Sequence, residues 1–329
     1  MAHAFGAAAL RRIPGALNAM ANRHFGNIGD IWKHLPLAEI LAIEKPRKYW
    51  ESHAGSAQYR LTHSEGRDYG IYYFLECAAQ SIDLGSSSFL CLLDGLRTRP
   101  GRLTIYPGSP RIAMELLGKR AGYLFCDIDG RSLATIARAA RSLGIPRAAV
   151  GRAKADGVRT LAKEVERLPR GEAEATFVLI DPCAGDEPFT RSETRPSPMD
   201  LFSLAAGIGA KTMLWYWFDT RAGRESAWQD IWDSLSDHGL KAGPVRLWAG
   251  EICLRAIDCA GSYDPGVKGC GILCGNLSSR AVSASSRLGY ELSRVYQRSC
   301  LPDGASGAFD FRSIPLDFEM DDRGRIGNV

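Results

Sequence analysis

The run Ala175-Thr-Phe-Val-Leu-Ile180, closed by Asp181-Pro182, is the clearest buried strand in the chain. Large apolar residues follow one another from Phe177 to Ile180 without polar alternation, as in a parallel strand covered on both faces. Outward from it, short strand-like runs alternate with helical stretches. Upstream lie a helix from about Asp30 to Ile43, the strand Lys48-Tyr-Trp-Glu51, a helix Arg111 to Arg120 and a strand Tyr123 to Cys126. A helix Arg131 to Leu143, a short strand near Ala148 to Gly151 and a helix Val158 to Leu168 lead into the central run. Downstream come the strand Thr212-Met-Leu-Trp-Tyr-Trp-Phe218 and a helix near Ser226 to Ser236, whose Trp228, Ile231, Trp232 and Leu235 read as core. Two late strands, Glu251 to Ile257 and Gly271 to Cys274, are expected to form an antiparallel hairpin at the sheet edge. This order predicts an α/β domain with a parallel sheet under helices.

Residues 59–102 break the alternation and read as a small helical insertion, which divides the chain into four parts. Residues 1–58 carry a lead-in helix and the first strand, 103–300 the rest of the sheet domain, and 301–329 a tail. The tail, with Asp317, Glu319, Asp321 and Asp322, reads as solvated and loose. The first 22 residues, Ala-rich with Arg11 and Arg12, are taken as an amphipathic lead-in helix and not as a targeting segment.

The 329 residues are 45% hydrophobic and 24% charged, which excludes disorder, collagen and coiled coil. Lys and Arg number 41 against 37 Asp and Glu, a net charge of +4. A dedicated nucleic-acid binder carries a stronger bias, although a local basic patch fits inside such a balance. The nine cysteines form no CxxC pair, so neither a zinc ribbon nor a disulfide framework is expected. Reduced thiols in a cytoplasmic protein are the simpler account, and no metal site is assigned. No apolar run reaches the length of a membrane span.

In an open parallel sheet, ligands bind beyond the carboxyl ends of the strands. Those ends read His53-Ala-Gly55, Asp127, Asp156-Gly157 and Asp181-Pro182. A glycine after the first strand lets backbone approach a nucleoside, and an acid after the second accepts from two ribose hydroxyls. An Asp-Gly after the third can receive an adenine amino group. The layout is that of a nucleoside cofactor, S-adenosylmethionine or a dinucleotide. Against it stands helix capping by Asp127 or Asp156.

The chain resembles the RlmJ-type adenine-N6 methyltransferases of large-subunit ribosomal RNA. The matching stretches are Gly26-Asn-Ile-Gly-Asp-Ile-Trp-Lys-His34, Glu51-Ser-His-Ala-Gly55, Tyr106-Pro-Gly-Ser-Pro110, Asp156-Gly157, Leu179-Ile-Asp-Pro182 and Leu214-Trp-Tyr216. They run in family order from Gly26 to about Cys274. The resemblance implies a class I (Rossmann-like) methyltransferase sheet with a small helical insertion, and S-adenosyl-L-methionine as cofactor. It places Lys33, His34, His53, Ser109, Asp127, Asp156 and Gly157 at the cofactor, with Asp127 shorter than the family's Glu. Asp181 falls on the catalytic Asp of the Asp-Pro-Pro-Tyr-type motif. On the other side, His34 and His53 suit core histidines, Ser109 suits a helix cap, and Lys33 suits a solvated face.

The motif departs from that family where the acceptor binds. It reads Asp181-Pro182-Cys183-Ala184-Gly185-Asp186-Glu187, so the second Pro and the aromatic are missing, and Ile28 stands where the family carries a His. A base–aromatic stack is worth about 1–3 kcal/mol. One reading keeps an adenine of 23S ribosomal RNA as acceptor, with Trp215 or Tyr216 as platform. The other, ranked ahead, is N-methylation of a small cationic amine or guanidine drawn in by Asp181, Asp186 and Glu187. A third class is a cofactor-binding protein without catalysis. Cys183 as a nucleophile lacks a base in sequence, and a packing role is expected for it.

Overall fold

The computed structural model describes residues 25–98, 101–182, 188–189, 195–240, 245–258, 265–299 and 306–316. The expected lead-in helix over the first 22 residues lies outside them, as do Cys183, Asp186, Glu187 and the acidic residues from Asp317 onward.

Helix α1 (Ile28–Glu44) begins where Asn27 accepts the Asp30 N–H at 2.9 Å, and it stops at Lys45, in the left-handed region at φ 44°. It is apolar almost all round, with Ile31, Trp32, Leu35, Leu37, Ala38, Ile40 and Leu41 buried. Such a helix belongs inside, and α1 packs on α2 (Ser88–Gly95), α3 (Ser109–Leu117) and α8 (Ser279–Tyr296). The remaining long helices are α4 (Gly130–Ser142), α5 (Gly157–Glu166), α6 (Pro198–Gly207) and α7 (Arg221–Asp237).

The sheet comprises β1 (Lys48–Glu51), β4 (Gly122–Asp127), β5 (Val150–Lys154), β6 (Thr176–Ile180), β7 (Lys211–Phe218), β8 (Leu247–Leu254), β9 (Gly269–Gly275) and β10 (Phe309–Pro315). Their order is β10-β8-β9-β7-β6-β1-β4-β5. Strands β5, β4, β1, β6 and β7 are parallel, and every residue of β6 is buried. A two-stranded antiparallel ribbon, β2 (Gln58–Arg60) with β3 (Ile105–Pro107), ties together the two ends of the stretch that holds the short insertion helices.

Two expectations at the far edge are corrected. Strand β9 pairs with β8 as expected, but it is inserted antiparallel between β7 and β8 and is not at the edge. Its glycines explain the fit: a Cβ on Gly269 or Gly271 would lie 2.1 or 2.4 Å from the rings of Phe218 and Tyr216, their cross-strand partners. The edge is β10, which lies within the stretch read as a tail. It is held by the Ser-rich helix α8, where Gly289 leaves room for Phe311; a Cβ there would approach the ring to 2.4 Å.

The Phe311 ring lies 5.0 Å from Trp32 and 4.9 Å from Tyr290, joining the sheet edge to α1 and α8. Phe311→Ala should therefore cost about 3–5 kcal/mol in urea unfolding. A loss below about 0.5 kcal/mol would mean that β10 contributes no more than an exposed tail.

Candidate active site

All the parallel strands point their carboxyl ends to one side, and the four expected strand ends meet there. After β1, Ser52 donates its N–H to the Leu179 carbonyl at 3.1 Å and Ala54 to the Cys126 carbonyl at 2.9 Å, so the loop is sewn to its neighbours on both sides. Gly55 then turns at φ 60°, where a side chain is disfavoured, and donates its N–H to Asp127 Oδ2 at 2.7 Å. Asp127 Oδ1 accepts the Asp129 N–H at 2.6 Å. The carboxylate is thus fixed, half-buried, by one backbone donor on each oxygen. It does not cap α4; Asp129 does so through the Arg131 N–H.

Asp156 is different. It caps α5 by accepting the Arg159 N–H at 3.1 Å and pairs with Arg195 at 2.7 Å. Gly157 earns its place by close approach: a Cβ there would sit 1.7 Å from the Ser52 carbonyl oxygen. No residue but glycine brings α5 this near the β1 loop.

The second half of the site hangs on α1. Lys33 Nζ lies 2.7 Å from Asp181 Oδ2 and 3.0 Å from Asp30 Oδ1, and 5.1 Å from the centre of the Trp215 ring. Asp30 also accepts the Gly26 N–H at 2.7 Å. Burial works against the Lys33 charge, yet Asp181 and Asp30 outweigh it and push its pKa up. Burial also opposes ionisation of Asp30, but Lys33, aided by the Gly26 N–H, prevails and holds it below the usual carboxylate range. For Asp181 burial wins, so its pKa is raised although Lys33 pulls it down. Lys33 is therefore a partner of Asp181 and not a solvated helix residue.

Glu51, fully buried at the end of β1, accepts from Ser109 Oγ and from Tyr49 Oη at 3.1 Å. Burial raises its pKa well above normal, and the nearby Asp181 adds to this. Ser109 stands at the first turn of α3 but spends its hydroxyl on Glu51; the helix is capped by Gly108, which provides no side-chain bond. His34 Nδ1 meets Tyr106 Oη at 2.8 Å in the interior, and His53 Nδ1 meets Ser52 Oγ at 2.7 Å.

Of the aromatics expected to form a platform, Tyr216 is misplaced. It is fully buried on the opposite face of the sheet, donating its hydroxyl to Glu251 at 3.2 Å and packing beside Trp228. Strand alternation sends neighbours to opposite faces, so Trp215 and Tyr216 never share a pocket. Trp215 faces α1 but is only 8% exposed and carries Lys33 on its ring.

Sequence reasoning passed over Glu51, Asp30, the half-buried Trp217 and the exposed Ile128. Glu51 and Asp30 had a signal in their position beside quoted motifs. Ile128 had one as an apolar residue directly after a strand-ending acid.

The architecture is a Rossmann-like α/β fold: a mostly parallel sheet in which β9, inserted between β7 and β8, and the edge strand β10 run antiparallel to the rest. Protein LPL1258 from Legionella pneumophila, of family DUF519, shares that fold with this chain at a TM-score of 0.64 and 20% identity, over 89% of this chain and 98% of that one. An O-methyltransferase from Bacillus cereus in complex with SAH aligns at a TM-score of 0.38 and 11% identity, over 81% and 93% of the two chains. The O-methyltransferase TomG from Streptomyces achromogenes, in complex with SAM, aligns at 0.39 and 12%, over 80% and 91%. The last two likenesses are loose. No protein-family model matches the chain, and no curated protein matches it. Among the described residues no helix is long and apolar enough to cross a membrane.

His34 supplies a test of how tightly this region is sealed. Burial and the adjacent Lys33 hold its pKa down to about 3. A free imidazole titrates near about 6.5, so neutral His34 contributes fully above that pH, and the contribution is lost as pH falls toward the folded value. His34→Gln should flatten the fall of Tm below that point relative to the parent chain. Equal acid slopes in thermal melts would show that His34 is not sealed in the fold.

Proposed function

We propose that the chain is an S-adenosylmethionine-dependent N-methyltransferase whose acceptor is the neutral amino group of a nucleobase in RNA. The observation that carries this reading is the Lys33–Asp181 pair at the end of β6, across the strand ends from the fixed carboxylate of Asp127.

The residues present fit the cofactor. Each Asp127 oxygen holds one backbone donor and keeps a second lone pair, and the two together suit a vicinal diol. Gly55 and Gly157 keep the surrounding backbone free of side chains, and Ile128, 58% exposed beside Asp127, offers an apolar face for a purine. Asp156 would receive an adenine amino group only by sharing its carboxylate with Arg195. Bound there, S-adenosylmethionine supplies an electrophilic methyl group on a sulfonium.

The protein's own part is orientation and desolvation. Asp181, ionised, accepts an N–H of the acceptor amino group and so aims the nitrogen lone pair. Lys33 favours that ionised state inside a buried site. The same pair bears on substrate class. A guanidinium would have to share Asp181 with a fixed ammonium, and like charges 4 Å apart repel by about 4 kcal/mol at an effective dielectric of 20. A neutral amino group meets no such repulsion. The charge argument for a cationic acceptor joined Asp181 to Asp186 and Glu187; Asp181 is paired with Lys33, and the other two lie outside the described residues.

A surface feature supports a polyanionic carrier for that base. Along the edge strand β5 runs a groove of about 490 Å³ lined by Gly130, Leu133, Val150 and the exposed Arg147, Arg152 and Lys154. None of the three cations has an ion-pair partner among the described residues. Lys154 is level with Asp127 in the β4–β5 register, so the groove begins at the cofactor end of the sheet.

Two outcomes are expected. In Lys33→Met, the Asp181 pKa rises further, because burial is no longer opposed, and the acid limb of kcat/KM moves to higher pH; an unmoved limb would detach Lys33 from the ionisation of Asp181. Arg152→Glu/Lys154→Glu should weaken RNA binding most at low salt and reduce the slope of log K against log salt by about 2. RNA affinity unchanged at low salt would return the acceptor to small molecules.

A further inference from the structure

The run Trp215-Tyr-Trp217 on β7 places three large rings on alternating faces. Trp215 and Trp217 belong to the face packed under α1, whereas Tyr216 packs into the opposite core. The β6–β7 register pairs Ile180 with Leu214, so continuing it brings Asp181 level with Trp215. Trp217 then stands one pleat farther along, about 6.6 Å toward the carboxyl edge where ligands enter. Asp181 shares that face, since its carboxylate meets Lys33 of α1.

Availability separates the three rings. Trp215 is nearly buried and covered by Lys33, and Tyr216 is sealed below the sheet. Trp217 is half-buried: one side packs on the core, and among the described residues its ring has no aromatic or cationic partner. A rigid indole held against the core yet still partly exposed is suited to stack on a flat ring. The segment after Asp181 reads Pro182-Cys183-Ala184 and contains no aromatic to do so.

We propose that Trp217 is the stacking platform of the acceptor pocket, against which the heterocycle lies while its amino group reaches Asp181. The proposal rests on the nucleobase reading above and deepens it, because it makes ring stacking, and not charge, the source of acceptor affinity.

The test uses the full chain loaded with S-adenosylhomocysteine and the ribonucleotide of 2-aminopurine, a fluorescent base that stacking quenches. The parent chain and Trp217→Phe should quench the probe, and Trp217→Ala should not. Cofactor-product affinity measured by calorimetry should be equal in all three, which also establishes that the variants are folded. In turnover with RNA, Trp217→Ala should raise KM about 5- to 150-fold, the span of a single base–aromatic stack, with a smaller effect on kcat. Quenching retained in Trp217→Ala, or absent in the parent chain, overturns the platform. Methyl transfer from labelled cofactor to RNA by the parent chain is scored separately, so loss of the platform and loss of the nucleobase reading give different results.

Discussion

A single buried ammonium holds the functional half of this molecule together. Lys33 reaches from the second turn of α1 to Asp181 at the tip of β6 and keeps Asp30, one turn back on its own helix, as second partner. Two charges taken out of water cost several kcal/mol each, and removing one partner of a buried pair typically costs about 3–5 kcal/mol because the other is left uncompensated. The start of α1 therefore cannot drift from the sheet without exposing that imbalance. Because Asp30 also accepts the Gly26 N–H, the charge cluster fixes the turn that enters the helix as well.

Around this pair the sheet divides labour by strand parity. On β1, β6 and β7 one alternate set, Tyr49 and Glu51, Asp181, Trp215 and Trp217, faces α1 and converges at the carboxyl ends. The other face of the sheet carries its own polar knot: Glu251 accepts from Tyr216, Trp228 and Arg224 and ties α7 to β7 and β8. Each buried carboxylate thus has donors suited to its setting. Those of Glu51 are neutral hydroxyls, consistent with a carboxyl group whose ionisation burial disfavours; that of Asp181 is a cation, which opposes the rise in pKa that burial imposes on it. Backbone economy completes the site, since Gly55 and Gly157 let the β1 loop, β4 and α5 meet without intervening side chains.

Much of the fold was legible in one dimension. The buried run at β6, the alternation of strands and helices before it and the acids at strand ends are local patterns, set by side-chain chemistry and the periods of strand and helix. Position after a strand is enough to put Asp127, Asp156 and Asp181 on the same side of a parallel sheet. Where local preference was weak, the reading failed. Helix α8 is rich in Ser and carries Gly289, and β10 sits in a stretch that resembles a tail; both form because Phe311, Trp32 and Tyr290 bury one another.

The sequence by itself therefore determined which side chains stand at the strand tips and that Trp215 and Tyr216 lie on opposite faces of β7, because both follow from chain direction and a period of two; which of those faces meets α1 it did not determine. Only the tertiary structure decided what those groups touch. Lys33 lies 148 residues from Asp181 along the chain, and their meeting depends on how α1 packs across the sheet. Asp156 became a helix cap paired with Arg195, while Asp127 was left with lone pairs to offer, although the two look alike as strand-end acids. Those outcomes turn on distances of a few ångströms between segments remote in sequence, which no local pattern encodes.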